Sequence, residues 1–274
     1  MKDITSRLFY RDGTFYRAEE LPARCFENDV IYEVIRFMDG KPLFLHDHLN
    51  RLISSARKAE YRIPDIRKLK EGIRLFSRRV DLTEGNIKTL LCFDKEKSSF
   101  SVYVYQVHHR YPTGEDYETG VVVATESMER TEPNVKKWNP EMRQKTERLK
   151  GEKDIYEVLM VDSKGNITEG SKSNIFMIMG DSLVTPPDEV VLPGITRKKV
   201  IALCFDLKIP VRFENLPYQN LTSYSGAFLS GTSPKILPLR KIDNHTFDVS
   251  QPLIKKLMNA YDQLIMKELQ KSPF

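Results

Sequence analysis

Two adjacent lysines, Lys136 and Lys137, stand between Val135 and Trp138. A lysine pair by itself reads as solvated surface charge. Its apolar neighbours permit partial burial, which lowers an amine's pKa toward the free base that attacks an aldehyde. Further along, Glu169 follows the turn Ser163-Lys-Gly-Asn166 and should emerge at the end of a hairpin strand. Alone it reads as an exposed acid at a turn. Behind it, Ser171, Ser173 and Asn174 are short hydrogen-bonding side chains that suit a ring hydroxyl or a phosphate, and suit a polar loop as well. In Leu192-Pro-Gly-Ile-Thr-Arg197, Gly194 frees the backbone, and Ile195 and Thr196 can aim amide N–H groups outward from a helix start. The positive potential there binds phosphate, although a plain capped helix explains the hexapeptide equally well. Ser230-Gly-Thr-Ser233 adds a second set of hydroxyl and amide donors after a strand. An amine for an aldehyde, an acid for a ring nitrogen and two phosphate-type turns are what pyridoxal 5′-phosphate requires, and together they favour an enzyme over a binding module.

Other candidates are weaker. Arg51 lies on the helix running from Leu45, on the side away from its leucines, and is either solvent-facing or a bidentate phosphate clamp. His46 and His48 flank Asp47 without a carboxylate or cysteine at ligand spacing, so no metal is expected and both histidines are read as capping or packing groups. There is no Ser-His-Asp pattern, Walker loop or dinucleotide glycine fingerprint.

The elements that must position these groups follow from pattern. Ile31 to Phe37 is strand-like, Asp39-Gly40 is a hairpin signal before an extended Pro42 to Leu45, and Leu45, Leu49, Leu52, Ile53, Ala56 and Ala59 recur at helical spacing. Pro64-Asp65 opens a second helix, and Ile87 to Phe93 pairs with Phe100 to Val107 through Asp94-Lys95-Glu96-Lys97. Arg110 to Thr119 is the candidate linker. Beyond it come a strand from Val121, a helix over Glu141 to Lys150, strands over Ile155 to Val161 and Asn174 to Met179, and a helix over Thr196 to Leu207 with Thr196 as N-cap. An amphipathic C-terminal helix from Ser250 carries a core-facing stripe, Leu253, Ile254, Leu257, Met258, Tyr261, Leu264 and Ile265. The expectation is an α+β protein in two domains: a smaller N-terminal α/β domain over residues 1–115 and a larger cofactor-binding domain over 116–274.

Composition narrows the function classes. Hydrophobic residues make up 40% and charged residues 30% of the 274, as in ordinary globular proteins. The net charge of +5 is dispersed, which argues against a nucleic-acid surface and fits anionic metabolites. Cys25, Cys92 and Cys204 are far apart and odd in number, so they read as buried thiols in a reducing compartment. The N-terminus has no signal-peptide core and no run approaches the ~18 apolar residues of a membrane span, so a cytoplasmic protein without a membrane partner is expected.

The assembled motifs resemble the fold-type IV, or class IV, pyridoxal-phosphate enzymes, a family that includes branched-chain aminotransferases, D-amino acid aminotransferases and aminodeoxychorismate lyase. The resemblance spans nearly the whole chain. It rests on Tyr32-Glu33-Val-Ile-Arg36, His48-Leu-Asn-Arg51-Leu, Val135-Lys136, Asn166-Ile-Thr-Glu169-Gly with Ser173-Asn174-Ile-Phe, Leu192-Pro-Gly-Ile-Thr-Arg197 and Ser230-Gly-Thr-Ser233, in the family's order. By this resemblance Lys136 is the Schiff-base lysine and Glu169 the acid on the pyridine nitrogen. Arg51, Ile195, Thr196 and Thr232 form the phosphate cradle, Ser173 and Asn174 lie beside the ring, and Ser233 meets the substrate carboxylate. Tyr32 and Lys88 join Ser233 as substrate-binding candidates. The resemblance implies transamination between an amino acid and a 2-oxo acid, in a homodimer.

Three departures bear on substrate. Glu27-Asn-Asp-Val-Ile31 replaces the family's glycine-rich loop, Lys88 stands roughly where an arginine-tyrosine carboxylate trap is expected, and Pro234-Lys235 replaces a glutamate. Lys88 leans toward the lyase. Apolar Tyr32, Ile35 and Phe37 lean toward an aliphatic side-chain pocket, hence branched-chain donors.

Overall fold

The computed structural model describes residues 3–22, 29–94, 99–271 and 274. Cys25, Glu27, Asn28 and the turn residues Lys95, Glu96 and Lys97 lie outside the described residues. The chain divides into two compact units: residues 1–110, 135–138 and 265–274 form one, and residues 111–134 and 139–264 the other.

The first unit is a six-stranded sheet in which every neighbouring pair is antiparallel. Its strands are β1 (Leu8–Arg11), β2 (Thr14–Arg17), β3 (Val30–Met38), β4 (Lys41–Pro42), β5 (Gly85–Phe93) and β6 (Phe100–Val107), in the order β2-β1-β6-β5-β3-β4. Both turn residues between β3 and β4 adopt positive φ, Asp39 at 50° and Gly40 at 72°, which suits the twist of a tight hairpin. The extended run expected to reach Leu45 stops at Pro42, because helix α1 (Leu45–Lys58) begins there. Its apolar stripe, Leu45, Leu49, Leu52 and Ala56, is buried as the spacing requires. Helix α2 (Ile66–Arg79) starts at Asp65, whose side chain accepts from the Arg67 amide, and buries Leu69, Ile73 and Phe76, each worth ~1.5–3 kcal/mol in removed apolar surface. Gly72 lets α2 close onto β1: a Cβ there would lie 2.8 Å from the Tyr10 ring. Strands β1 and β2 carried no sequence expectation. Cys92, on β5, is disulfide-bonded, which corrects the reading of three free thiols.

The second unit is built on a mixed sheet. The stretch read as a linker holds a short helix, α3 (Gly114–Thr119), because Thr113 and Asp116 form a reciprocal capping box. Then follow β7 (Val121–Ser127), α4 (Pro140–Lys153), β8 (Glu157–Val161), β9 (Asn166–Gly170), β10 (Asn174–Met179), β11 (Ser182–Thr185), α5 (Ile195–Asp206), β12 (Val211–Phe213), β13 (Leu216–Pro217), β14 (Gly226–Gly231), β15 (Lys235–Ile242), β16 (His245–Thr246) and α6 (Pro252–Leu269), of which residues 252–264 belong to this unit. The order is β12-β11-β10-β14-β15-β7-β8-β9-β13, with β16 beside β15 and parallel pairing at β11/β12, β15/β7 and β7/β8. Along α6 the buried positions are Ile254, Leu257, Tyr261, Ile265 and Leu269, while Leu253, Met258 and Leu264 are half-buried at the edge of the stripe. Cys204 on α5 is a free thiol that burial pushes up to about 12. The α+β expectation holds. Among the described residues no helix is long and apolar enough to cross a membrane, and no group of three or more metal-ligating side chains occurs.

Candidate active site

In the first unit the lysine pair is carried along the edge of β3. The Tyr32 amide donates to the Lys136 carbonyl (3.1 Å) and the Trp138 amide to the Val30 carbonyl (2.8 Å), with an antiparallel bridge between Ile31 and Lys137. The Lys136 amide donates to the Ser55 hydroxyl on α1 (3.2 Å). This strapping sends the two side chains to different neighbours. Lys136 Nζ lies 4.9 Å from the centroid of the Tyr32 ring. Lys137 is ion-paired with Asp29 at 2.7 Å, beside Tyr61, whose hydroxyl burial and the Asp29 hydrogen bond push up to about 12.

Tyr32 also meets Lys88, whose ammonium lies 5.3 Å from the Tyr32 centroid and 3.8 Å from that of Trp138. Ile35 and Phe37 do not share this surface. Successive β3 side chains alternate, so Tyr32 faces one way and Glu33, Ile35 and Phe37 the other, where the latter two are wholly buried in the unit's core. Of these three apolar residues, only Tyr32 lies on the face that carries Lys88.

On the helix side, Glu33 is fully buried and bidentate with Arg51: Nε donates to Oε1 and Nη2 to Oε2, both at 2.7 Å. Arg51 is therefore interior rather than solvent-facing. His48 Nδ1 completes the triad at 2.8 Å from Glu33 Oε2, a role beyond the capping or packing expected of it. Burial works to raise the Glu33 pKa, but the Arg51 charge and hydrogen bonds from Arg51 and His48 outweigh it and hold the carboxyl at about 2. Burial lowers His48, and the charges of Arg51 and Lys136 add to that against the raising effect of Glu33. A neutral imidazole beside an ionised carboxylate carries its proton on Nδ1.

In the second unit the β8–β9 hairpin turns at Asp162, whose carboxylate accepts from the amides of Lys164 and Asn166, and Gly165 at φ 79° completes the turn. Glu169, near the end of β9, is only 2% exposed, not an exposed turn acid. Its Oε1 accepts from Arg130 Nε (2.7 Å), and its Oε2 from Asn174 Nδ2 (3.1 Å) and the Leu192 amide (3.0 Å). Arg130 also donates to the Ser171 carbonyl. A polar cavity of about 220 Å³ is lined in part by Arg130, Met160, Thr168 and Glu169.

Ser171 and Ser173 are not directed at Glu169. Their hydroxyls donate to Glu157 on β8, at 2.7 and 3.4 Å, and the Lys172 and Val158 amides donate to the same carboxylate. These donors are neutral, and burial raises the Glu157 pKa against them.

Helix α5 begins at Ile195 with Gly194 as its cap. Thr196 is thus inside the first turn rather than at the N-cap, and its hydroxyl contacts that of Tyr261 (3.4 Å). Gly194 is required by proximity: a Cβ there would lie 2.0 Å from Asn174 Oδ1. Asn174 pairs across the ladder with Ser230, whose hydroxyl is buried without a hydrogen-bond partner among the described residues. Thr232 and Ser233 occupy the turn between β14 and β15.

Sequence reasoning passed over Glu33, Arg130 and Glu157 as functional groups. Glu33 was visible inside the Tyr32-to-Arg36 motif, whereas Arg130 has no local signal: it is recognised only through its contact with Glu169, 39 positions away.

Residues 30–242 match the amino-transferase class IV family model. The branched-chain-amino-acid aminotransferase of Escherichia coli K12 is 29% identical over 265 residues, covering 87% of this chain and 84% of that protein. Among solved structures, a T.th. branched-chain amino acid aminotransferase with pyridoxamine 5′-phosphate superposes with a TM-score of 0.85 at 22% identity, covering 97% of this chain and 96% of that one. The branched-chain aminotransferase of the archaeon Thermoproteus uzoniensis with norvaline superposes with a TM-score of 0.82 at 23% identity, covering 97% of each chain. With a family model spanning most of its length and this fold beneath it, the chain belongs to the class IV aminotransferases and is a pyridoxal-phosphate-dependent enzyme.

Proposed function

We propose that the protein transfers the amino group of a branched-chain amino acid to a 2-oxo acid, acting as a cytoplasmic homodimer, with Lys136 and Glu169 as its catalytic residues. The substrate class is supported by the relatives named above, and the dimer by the family resemblance. The observation that carries the site is the buried Glu169 carboxylate, held by Arg130, Asn174 and the Leu192 amide, with the uncommitted hydroxyl of Ser230 on the residue paired with Asn174.

These residues fit a phosphorylated pyridine. The orphaned Ser230 hydroxyl is a feature that a bound polar ring or phosphate would use. When bound, pyridoxal phosphate supplies the electron sink that makes the substrate's α-proton removable. Glu169 would hold the proton on its ring nitrogen, with Asn174 and Ser173 beside the ring. The amides of Ile195 and Thr196, with Thr232 and Arg51, would hold its phosphate, Glu33 and His48 orienting the Arg51 guanidinium. The Lys136 amine would join the aldehyde and, once displaced, move the proton between the substrate's α-carbon and the cofactor's C4′. The Asp29 ion pair of Lys137 supports Lys136 for this role. Tyr32, Lys88 and Ser233 would bind substrate.

The test is a half-reaction followed by visible absorption. Protein loaded with pyridoxal phosphate is treated separately with L-leucine, D-alanine and L-glutamate, and L-leucine is expected to discharge the visible band. Discharge by D-alanine alone would replace the branched-chain L-amino acid reading. A band that no donor alters would favour the lyase. Borohydride trapping should retain cofactor on Lys137→Ala and lose it on Lys136→Ala, and the reverse result would move the amine by one residue.

A further inference from the structure

The first unit holds a second ligated carboxylate, on the sheet face away from α1 and α2. Lys88 on β5 and Tyr105 on β6 are directly paired across the ladder, and both are buried. Lys88 Nζ donates to Asp3 Oδ2 at 2.7 Å, and the Tyr105 hydroxyl donates to Asp3 Oδ1 at 3.1 Å. The Trp138 and Tyr32 rings wall the ammonium. The same Tyr32 ring lies against the Lys136 amine. Burial, and then the Asp3 charge, push the Tyr105 phenol up, so it remains a donor.

Receptor and occupant differ in kind. Lys88 and Tyr105 stand on central strands and are 2% and 0% exposed, whereas the Asp3 side chain is 39% exposed. Asp3 sits at the margin of the sheet, held by its carbonyl accepting from the His108 amide (3.3 Å) and by the bridge between Ile4 and Val107. A buried ammonium needs an anion beside it, since desolvation is otherwise uncompensated. Nothing in the receptor requires that anion to be Asp3. One carboxylate, bound at both oxygens, satisfies it.

We infer that Lys88 and Tyr105 form a carboxylate-binding subsite, and that Asp3 is a built-in stand-in which the carboxylate of an amino-acid or 2-oxo-acid substrate must displace. This rests on the proposed role of Lys88 in substrate binding. A stand-in and a mere orienting group for Lys88 predict opposite signs. Removing a competitor tightens carboxylate binding, whereas removing a support weakens it.

The experiment measures binding of 4-methylpentanoate, a substrate-like carboxylate without an amino group, to the full-length enzyme carrying its cofactor. Thermal shift and titration are applied to wild type, Asp3→Asn, Tyr105→Phe and Lys88→Met. Asp3→Asn is expected to melt lower without the probe, recover with it, and bind it several-fold more tightly than wild type. A tenfold gain corresponds to ~1.4 kcal/mol. Tyr105→Phe keeps the ring, so it reports on the subsite even if Lys88→Met fails to fold, and it should weaken the probe several-fold. If Asp3→Asn binds the probe no better than wild type while Tyr105→Phe or Lys88→Met binds it worse, the stand-in is overturned and Lys88 keeps its role. If Tyr105→Phe and a folded Lys88→Met both bind the probe as wild type does, the role of Lys88 falls, and this inference with it.

Discussion

Glu33 in the first unit and Glu157 in the second are both glutamates on interior strands, almost wholly removed from solvent, yet their carboxyls are displaced in opposite directions. Glu33 faces the Arg51 guanidinium and the His48 imidazole and stays ionised to about pH 2. Glu157 is surrounded by hydroxyls and amides from Ser171, Lys172, Ser173 and Val158, so desolvation prevails. Burial alone does not decide a carboxylate's charge. A full countercharge within hydrogen-bond reach does, because neutral donors recover only part of the lost hydration. Glu169 resembles Glu33 in this respect, with Arg130 beside it.

The severest way to break the comparison is Glu33→Ala, which strands the Arg51 guanidinium in the interior. It should cost about 3–5 kcal/mol, read as a lower urea midpoint. Next is Arg130→Gln, which removes the charged donors on Glu169 and on the Ser171 carbonyl. Charge-assisted bonds of ~1.5–3 kcal/mol predict a ~10–100-fold loss of pyridoxal-phosphate affinity, measured by titrating the visible band, with a smaller change in melting temperature.

A pH titration sharpens the contrast. The Glu33 pKa is depressed from 4.5 to about 2 in the folded chain, so its contribution is complete above about pH 4.5 and lost as pH falls toward 2. Glu33→Gln should flatten that acid limb of the stability curve. The Glu157 pKa is raised, so its contribution is present below 4.5 and lost as pH rises through the folded value. Glu157→Gln, which keeps a neutral carbonyl acceptor, should therefore cost less than ~1 kcal/mol at pH 7 and abolish that rising-pH loss. A large penalty at pH 7 would mean that the ionised form is what holds residues 171–173.

The local elements were largely legible. The Asp39-Gly40 hairpin, the leucine spacing of α1 and the Asp65 cap carry their geometry within a few residues. Where reading failed, a neighbour distant in sequence had intervened. Thr196 has the residue type of an N-cap, but the cap is Gly194, where Asn174 leaves no room for a side chain. Ile35 and Phe37 share the apolar character of Tyr32, but strand alternation turns them to the opposite face, into the unit's core. The hydroxyls of Ser171 and Ser173 bond to Glu157, a partner 14 and 16 positions away that no local pattern announces.

By itself the sequence determined the α+β class, the family and the residue types available for chemistry, because turn chemistry, apolar periodicity and motif order are properties of short stretches of chain. Only the tertiary structure decided which charge meets which. Glu33 finds Arg51 across 18 positions, Arg130 finds Glu169 across 39, and Lys88 finds Asp3 across 85. The strand that carries Lys136 exists only because residues 135–138 return to the edge of β3. Such pairings leave no periodic trace, since their energies arise from desolvated contact in three dimensions and not from anything adjacent along the chain.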